Sequence, residues 1–281
     1  MPAVDRMRPL LGTFVTIHAQ ETPGLTLEQL ESAVGSAFRV IERIERLMSF
    51  HRTDSDIGRL NRARPGCSIR VHRWTYYVLG QALHLNKASG GAFDCNIGAV
   101  LARAGLLPRS RRTAARHRRL MPEAFALINN GRVRLMHRVL LDLGGIAKGF
   151  AVDQAVRVLR EHNVRGGSVN AGGDLRVFGR QAQAVWVRCP TTPSQQHLIG
   201  YLSNGAVATS ANYFTRAASN DGVAASAIVD AAKRERLRLA GSVSVIAKTC
   251  MQADALTKIA ALRRCLPSAL KLRSQARVIR L

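Results

Sequence analysis

The passage from Arg138 to His162 narrows the possible folds more than any other part of the chain. Arg138-Val139-Leu140-Leu141-Asp142-Leu143 is apolar enough to be a buried strand, and Gly144-Gly145 punctuates it. From Ala147 to His162 the apolar residues Phe150, Ala151, Ala155, Val158 and Leu159 then recur in helical phase. A strand that becomes a helix across two glycines leaves free backbone N–H groups and the positive end of a helix dipole at the junction. That end suits a phosphate or a diphosphate. Lys148 adds a charge and Asp142 an acceptor. The run is neither the P-loop pattern nor the three-glycine dinucleotide fingerprint, and taken alone a plain tight turn accounts for it equally well.

Around this junction the chain predicts a mixed α+β fold, with mixed sheets and packed helices. A short strand over 12–18 precedes Thr26 and Gln29, a capping box for a helix with Leu30, Val34, Ala37, Ile41, Ile44 and Met48 at helical spacing. Trp74 to Ser89 reads as a second helix, stopped by Gly90-Gly91. Further strands are predicted over 133–135, 168–170, 175–178, 184–188 and 242–247, and a late helix over 252–262. The connections are too short for a doubly wound sheet. At 281 residues with 47% hydrophobic content, the chain suffices for one domain or two intimately packed lobes.

Composition removes several classes. No apolar run reaches the roughly 18–20 residues of a membrane span. Met1 to Leu11 lacks the pattern of a secretory leader, so the chain as it stands is expected in the cytoplasm. A processed or anchored periplasmic protein would read the same. Cys67, Cys95, Cys189, Cys250 and Cys265 form no C-x-x-C pair, which argues against a disulfide framework or a zinc site. The net charge of +24 concentrates in a basic insert near 103–120, in Lys233 to Arg238, and between Arg263 and Arg280. Aromatic residues are only 5% and do not interleave these runs, so solvated surface loops are the expectation and nucleic acid is not.

Three other segments carry chemistry. Asn170-Ala171-Gly172-Gly173-Asp174 is a second glycine-pair turn, and together with the first it flanks one helix as two walls of a cleft. Asp254 lies in the first turn of the late helix, where the dipole alone stabilises a carboxylate. Gly90-Gly91-Ala92-Phe93-Asp94 reads as a helix stop followed by a strand.

In chain order these segments stand with Leu11-Gly12-Thr13-Phe14, Met48-Ser49-Phe50, Ser55, Leu60-Asn61, Ala208-Thr209-Ser210, Tyr213 and Ser242-Val243-Ser244-Val245. The set resembles the FAD:protein FMN transferases, the ApbE family, over roughly residues 11–262, most specifically through Asp142 to Asp153. The resemblance implies an ApbE-like, T-fold-like architecture and a magnesium-dependent transferase acting on FAD. In that reaction a threonine or serine hydroxyl of an acceptor flavoprotein attacks the phosphorus of the FMN half. AMP leaves, and the acceptor is flavinylated as a post-translational modification. The resemblance also implies FAD lying against Leu11, Phe50, Ala92, Phe93, Asp94, Asp142, Lys148 and Ile228. It implies Mg²⁺ held by the carboxylate of Asp254 and the backbone carbonyl of Gly145, to which Thr257, one residue before the family's usual threonine position, would add its backbone carbonyl.

The chain departs from the family's pattern in three places. Where a His–x–x–Asp–Pro stretch is usual, Ala227-Ile228-Val229-Asp230-Ala231 stands here, which leaves Asp230 as the candidate base. The position four residues after the metal-binding aspartate, usually threonine, is Lys258, a candidate catalytic residue that either replaces some of the cation's charge with its own ammonium or blocks Mg²⁺ outright. Leu11 replaces a usual methionine. Three other readings stay open: an FAD-binding protein of the same fold that has lost transfer, a Mg²⁺-dependent FAD hydrolase, and a polyanion binder driven by charge. The acceptor protein and the oligomeric state are not legible in the chain.

Overall fold

Alternation along Thr13–Gln20 buries Val15, Ile17 and Ala19 on one face, the pattern of a strand with one side on a core. A computed structural model describes residues 3–108, 121–190, 192, 194–211, 225–263 and 265–281. In chain order its strands are β1 (Ala3–Leu10), β2 (Thr13–Gln20), β3 (Ser68–Arg70), β4 (Phe125–Ile128), β5 (Arg132–Leu135), β6 (Gly167–Ala171) and β7 (Asp174–Phe178). They continue with β8 (Gln183–Arg188), β9 (Gln196–Leu202), β10 (Ala206–Ala211), β11 (Ala225–Asp230), β12 (Glu235–Arg238), β13 (Ser242–Ala247) and β14 (Arg277–Arg280). Seven of them form one antiparallel sheet in the order β1-β2-β6-β7-β10-β13-β14. Smaller antiparallel sheets are β3-β5-β4, β8-β9 and β11-β12.

One side of the large sheet carries the helices. Leu27–Met48 opens on the predicted capping box: Gln29 N–H donates to Thr26 Oγ1 at 3.2 Å, and Thr26 N–H donates to Gln29 Oε1 at 2.8 Å. This helix packs on Ala147–Glu161, which packs on Cys250–Leu262, which in turn lies against β10 and β13. The mixed α+β expectation therefore describes the molecule. The main cluster of buried side chains runs through all of these elements, and a small second one, Val100, Leu101 and Val229, ties β11 to the Gly98–Arg103 helix.

Two features set the spacing of Ala147–Glu161 against Cys250–Leu262. Gly149 lets the backbones touch, since a Cβ there would stand 2.3 Å from the Cys250 carbonyl oxygen. Asp153 then bridges the two helices. Its Oδ1 accepts from Cys250 N–H and its Oδ2 from Met251 N–H, both at 2.9 Å, while Arg176 pairs with Oδ1 at 2.9 Å.

Four expectations need correction. Among the described residues, the predicted strand over 138–143 pairs with no other strand. Its backbone is satisfied by side chains and a loop instead. Asn61 donates to Leu141 O at 2.9 Å and accepts from Leu141 N–H at 2.7 Å, Asn96 Oδ1 accepts from Leu140 N–H at 2.8 Å, and Asp142 N–H donates to Cys95 O at 2.8 Å. Those bonds meet the demand that a ladder would otherwise meet. Second, β1 was not expected: only Val4 is buried along it, because it is an edge strand joined to β2 by the tight Leu11–Gly12 turn. Third, the late helix begins at Cys250, so Asp254 lies beyond its first turn. Fourth, the basic stretch 263–280 is not only loop but includes the Ser268–Ser274 helix and β14. Of the basic insert, Arg103 ends a helix, while 109–120 lie outside the described residues.

Candidate functional site

The glycine pair at 144–145 does more than turn the chain. It forms one wall of a cavity of about 330 Å³. That wall continues through Asp142 and Lys148 to Asp174, which begins β7 after the second glycine-pair turn. Ala92, Phe93, Asp94 and Ile97 also line it, with Thr209, Ser210 and Ala211 of β10. β11 contributes Ser226, Ala227, Ile228 and Val229. The two glycine-pair turns thus border the same space, as the cleft reading expected.

The charges beneath the glycine wall form a quartet. Lys148 Nζ lies 2.6 Å from Asp174 Oδ2 and 3.7 Å from Asp254 Oδ2. Lys258 donates to Asp254 Oδ1, and Gly149 N–H donates to Asp254 Oδ2 at 3.2 Å. Asp254 itself is 0% exposed. Burial pushes its carboxyl up, but Lys148 and Lys258 override burial and hold it below the ordinary carboxylate range. Burial likewise works against the Lys148 ammonium, yet Asp174 and Asp254 keep its pKa above that of an ordinary lysine. The carboxyl of Asp174 is pushed up, by burial and then by the charge of Asp254, against the pull of Lys148. Asp142 is also pushed up by burial, moderated by the Gly144 N–H that it accepts at 3.3 Å.

This arrangement does not fit Mg²⁺. A hard divalent ion requires several oxygen ligands free to face it. Here one oxygen of Asp254 is taken by Lys258, and the other by a backbone N–H with a second ammonium close by. The Thr257 hydroxyl donates to Asp254 O at 2.7 Å and meets Ser210 Oγ at 2.7 Å, fully buried. Its carbonyl lies in mid-helix, where the helix's own ladder uses it. Over Gly145 lies the stem of Lys258, whose Cε would be 3.4 Å from a Cβ placed there. No group of three His, Cys, Asp or Glu side chains able to hold a metal exists among the described residues.

The residues named from the sequence fall into three groups. Ala92, Phe93, Asp94, Asp142, Gly145, Lys148, Ile228 and Lys258 line the cavity together. Asp254 and Thr257 lie buried beneath it, beside Lys258 and Ser210. Leu11, Phe50 and Asp230 do not line it. Leu11 sits in the β1–β2 turn, held by Glu45, which accepts from its N–H at 2.9 Å. Phe50 packs under Gly98, its ring 3.0 Å from where a Cβ would stand. Asp230 folds into its own turn, where Oδ1 accepts from Ala232 N–H at 3.1 Å and Lys233 N–H at 3.2 Å. A carboxylate so engaged is a poor match for a base aimed into the cavity. Sequence reasoning missed Asp174 as the partner of Lys148, although the Gly172-Gly173-Asp174 turn was its signal.

Comparison with known proteins bears on the family and the fold. The profile described as the ApbE family matches residues 11–272. A FAD:protein FMN transferase of Vibrio cholerae is 28% identical over 266 residues, covering 88% of this chain and 78% of that protein. One of the same name from Haemophilus influenzae is 26% identical over 238 residues, covering 78% and 68%. Among solved structures, a variant of the flavin transferase ApbE from Vibrio cholerae aligns with a TM-score of 0.83 at 25% identity, covering 100% of this chain and 94% of that one. The ApbE protein of Thermotoga maritima aligns at 0.84 and 24% identity, covering 99% and 94%, a likeness that speaks for the fold.

Proposed function

The chain belongs to the ApbE family, and from that premise we propose that its cavity takes FAD and passes the FMN half to a threonine or serine hydroxyl of an acceptor flavoprotein. One observation carries the reading. Lys148, the Gly144–Gly145 turn and the start of the Ala147–Glu161 helix converge on a cavity that the apolar stretch Ala227–Val229 also lines. An ammonium and a helix N-terminus stabilise a diphosphate, while apolar side chains suit a ring system. In the transfer, the hydroxyl oxygen bonds to the FMN phosphorus as the bond from that phosphorus to the bridging oxygen breaks. AMP departs with the bridging oxygen, and the hydroxyl proton passes to a base. The chain contributes by holding and orienting the phosphates and neutralising their oxygens.

Mg²⁺ belongs to the family resemblance, but Asp254, the one carboxylate that would hold it here, is engaged by Lys258 with Lys148 close by. A second reading, FAD binding without transfer, is favoured by one feature. Among the described lining residues, β11 presents Ser226, Ala227, Ile228 and Val229 to the cavity and no titratable group.

Incubating the protein with FAD and a threonine-bearing flavoprotein domain, then reading flavin fluorescence in a denaturing gel, tests the proposal. A fluorescent acceptor band with matching AMP release is the expected result. Retained FAD with no labelled band at long times selects the second reading. Free FMN and AMP without a band mean hydrolysis, and no flavin uptake at all ends every flavin reading.

A further inference from the structure

Lys258 is four residues after Asp254 on the same helix, a spacing that brings the two side chains together on one face. Its stem crosses Gly145, and its ammonium rests on a carboxylate with no exposure to solvent. Two ammoniums, Lys148 and Lys258, thereby face two carboxylates, Asp174 and Asp254, and the group of four is neutral as it stands. A divalent ion beside Asp254 would meet both ammoniums at short range in a poorly screened setting. Without Lys258 the remaining three charges would sum to minus one, with Asp254 Oδ1 open toward Gly145. That is a setting that draws a cation.

We propose that the Lys258 ammonium is a built-in cation that replaces a divalent metal, so that the cavity holds the diphosphate of FAD without Mg²⁺. An ammonium has three N–H donors, of which the carboxylate of Asp254 takes one. Lys258 also lines the cavity, and its side chain is 20% exposed, so a phosphate bound there would lie beside a cation able to make further charge-assisted contacts. One fixed charge stands in for two, and the site is filled from the moment the helix forms. The choice of FAD as ligand rests on the flavin reading above, whereas the exclusion of metal does not.

The test uses two probes on the intact chain. Mn²⁺ uptake is followed by electron paramagnetic resonance, and FAD affinity by flavin fluorescence in EDTA and in Mg²⁺. Wild-type protein is expected to take up no Mn²⁺ at this site and to bind FAD equally in both buffers. The Lys258→Thr variant is expected to bind one Mn²⁺. It should also lose about tenfold in FAD affinity in EDTA, the loss of roughly one charge-assisted contact, and regain it with Mg²⁺. Stoichiometric Mn²⁺ uptake by the wild type overturns the proposal. So does a wild-type FAD affinity that rises about tenfold with Mg²⁺, or a folded Lys258→Thr that gains no metal. Should that variant not fold, the wild-type Mn²⁺ titration decides alone. If FAD binds under neither condition, the flavin reading fails, and the Mn²⁺ result still judges the exclusion of metal.

Discussion

The two sides of the cavity are built to different standards. On the glycine side, Lys148, Asp174, Asp254 and Lys258 each have a charged partner at short range, and Gly149 N–H supports Asp254 from below. On the β11 side, the chain offers small and apolar side chains, and the carboxylate of that strand, Asp230, is engaged in its own turn. The first side is suited to gripping a diphosphate, and the second lacks a group to take a proton. The charged groups and the small β11 side chains therefore rest on separate elements, a helix junction and a hairpin, and can be altered one at a time.

The largest expected effect comes from supplying what the β11 side lacks. Ala227 is exposed and lines the cavity, so Ala227→His places an imidazole there without disturbing the glycine side. A positioned general base contributes about 10²- to 10⁴-fold, and the rate of acceptor labelling should rise toward that range while FAD affinity changes little. An unchanged rate would show that the proton already leaves by another route, and would erase the contrast between the two sides.

A smaller effect tests the glycine side. In Gly149→Ala the new methyl would stand 2.3 Å from the Cys250 carbonyl oxygen and 2.6 Å from its carbon, both backbone atoms. Overpacking of this kind costs about 1–3 kcal/mol, read as a lower denaturant midpoint. FAD affinity should fall with it, because the Gly149 N–H that supports Asp254 shifts as the helices part. A variant of unaltered stability would mean that the helix spacing is not set by this contact.

The smallest effect concerns Asp142, and only its sign is predicted. Burial raises the pKa of this carboxyl above its unfolded value, so the folded protein binds the proton more tightly than the unfolded chain does. Its contribution to stability is then complete below the unfolded pKa and is lost as pH rises through the folded one. Asn cannot ionise, so Asp142→Asn should lose less stability than the wild type between acid and neutral pH, measured by denaturant midpoints without flavin. A wild-type-like pH slope in the variant would count against a protonation penalty at Asp142.

Much of the architecture was legible because its signals are local. The Leu27–Met48 helix follows from apolar spacing and a capping box, β13 matches the predicted 242–247, and Ala147–Glu161 follows its glycine pair. Of the eight named site residues that share one cavity, six (Ala92, Phe93, Asp94, Asp142, Gly145 and Lys148) stand beside glycine-pair turns that are themselves readable in the chain. The failures arise where a long-range partner does the work. Residues 138–143 read as a strand, yet Asn61 and Asn96 occupy the backbone groups that a neighbouring strand would have used. β1 has no alternation to read, since as an edge strand it buries only Val4.

The charges show the same division most sharply. That Asp254 and Lys258 meet follows from helical spacing alone, four residues apart on one face. That the Lys258 stem lies against Gly145, and that Lys148 is shared between Asp174 and Asp254, depend on how distant segments pack. Spacing along a chain governs which side chains share a face of one element. Which charge meets which across elements is governed by distance and burial, and those exist only once the helices and the sheet have come together.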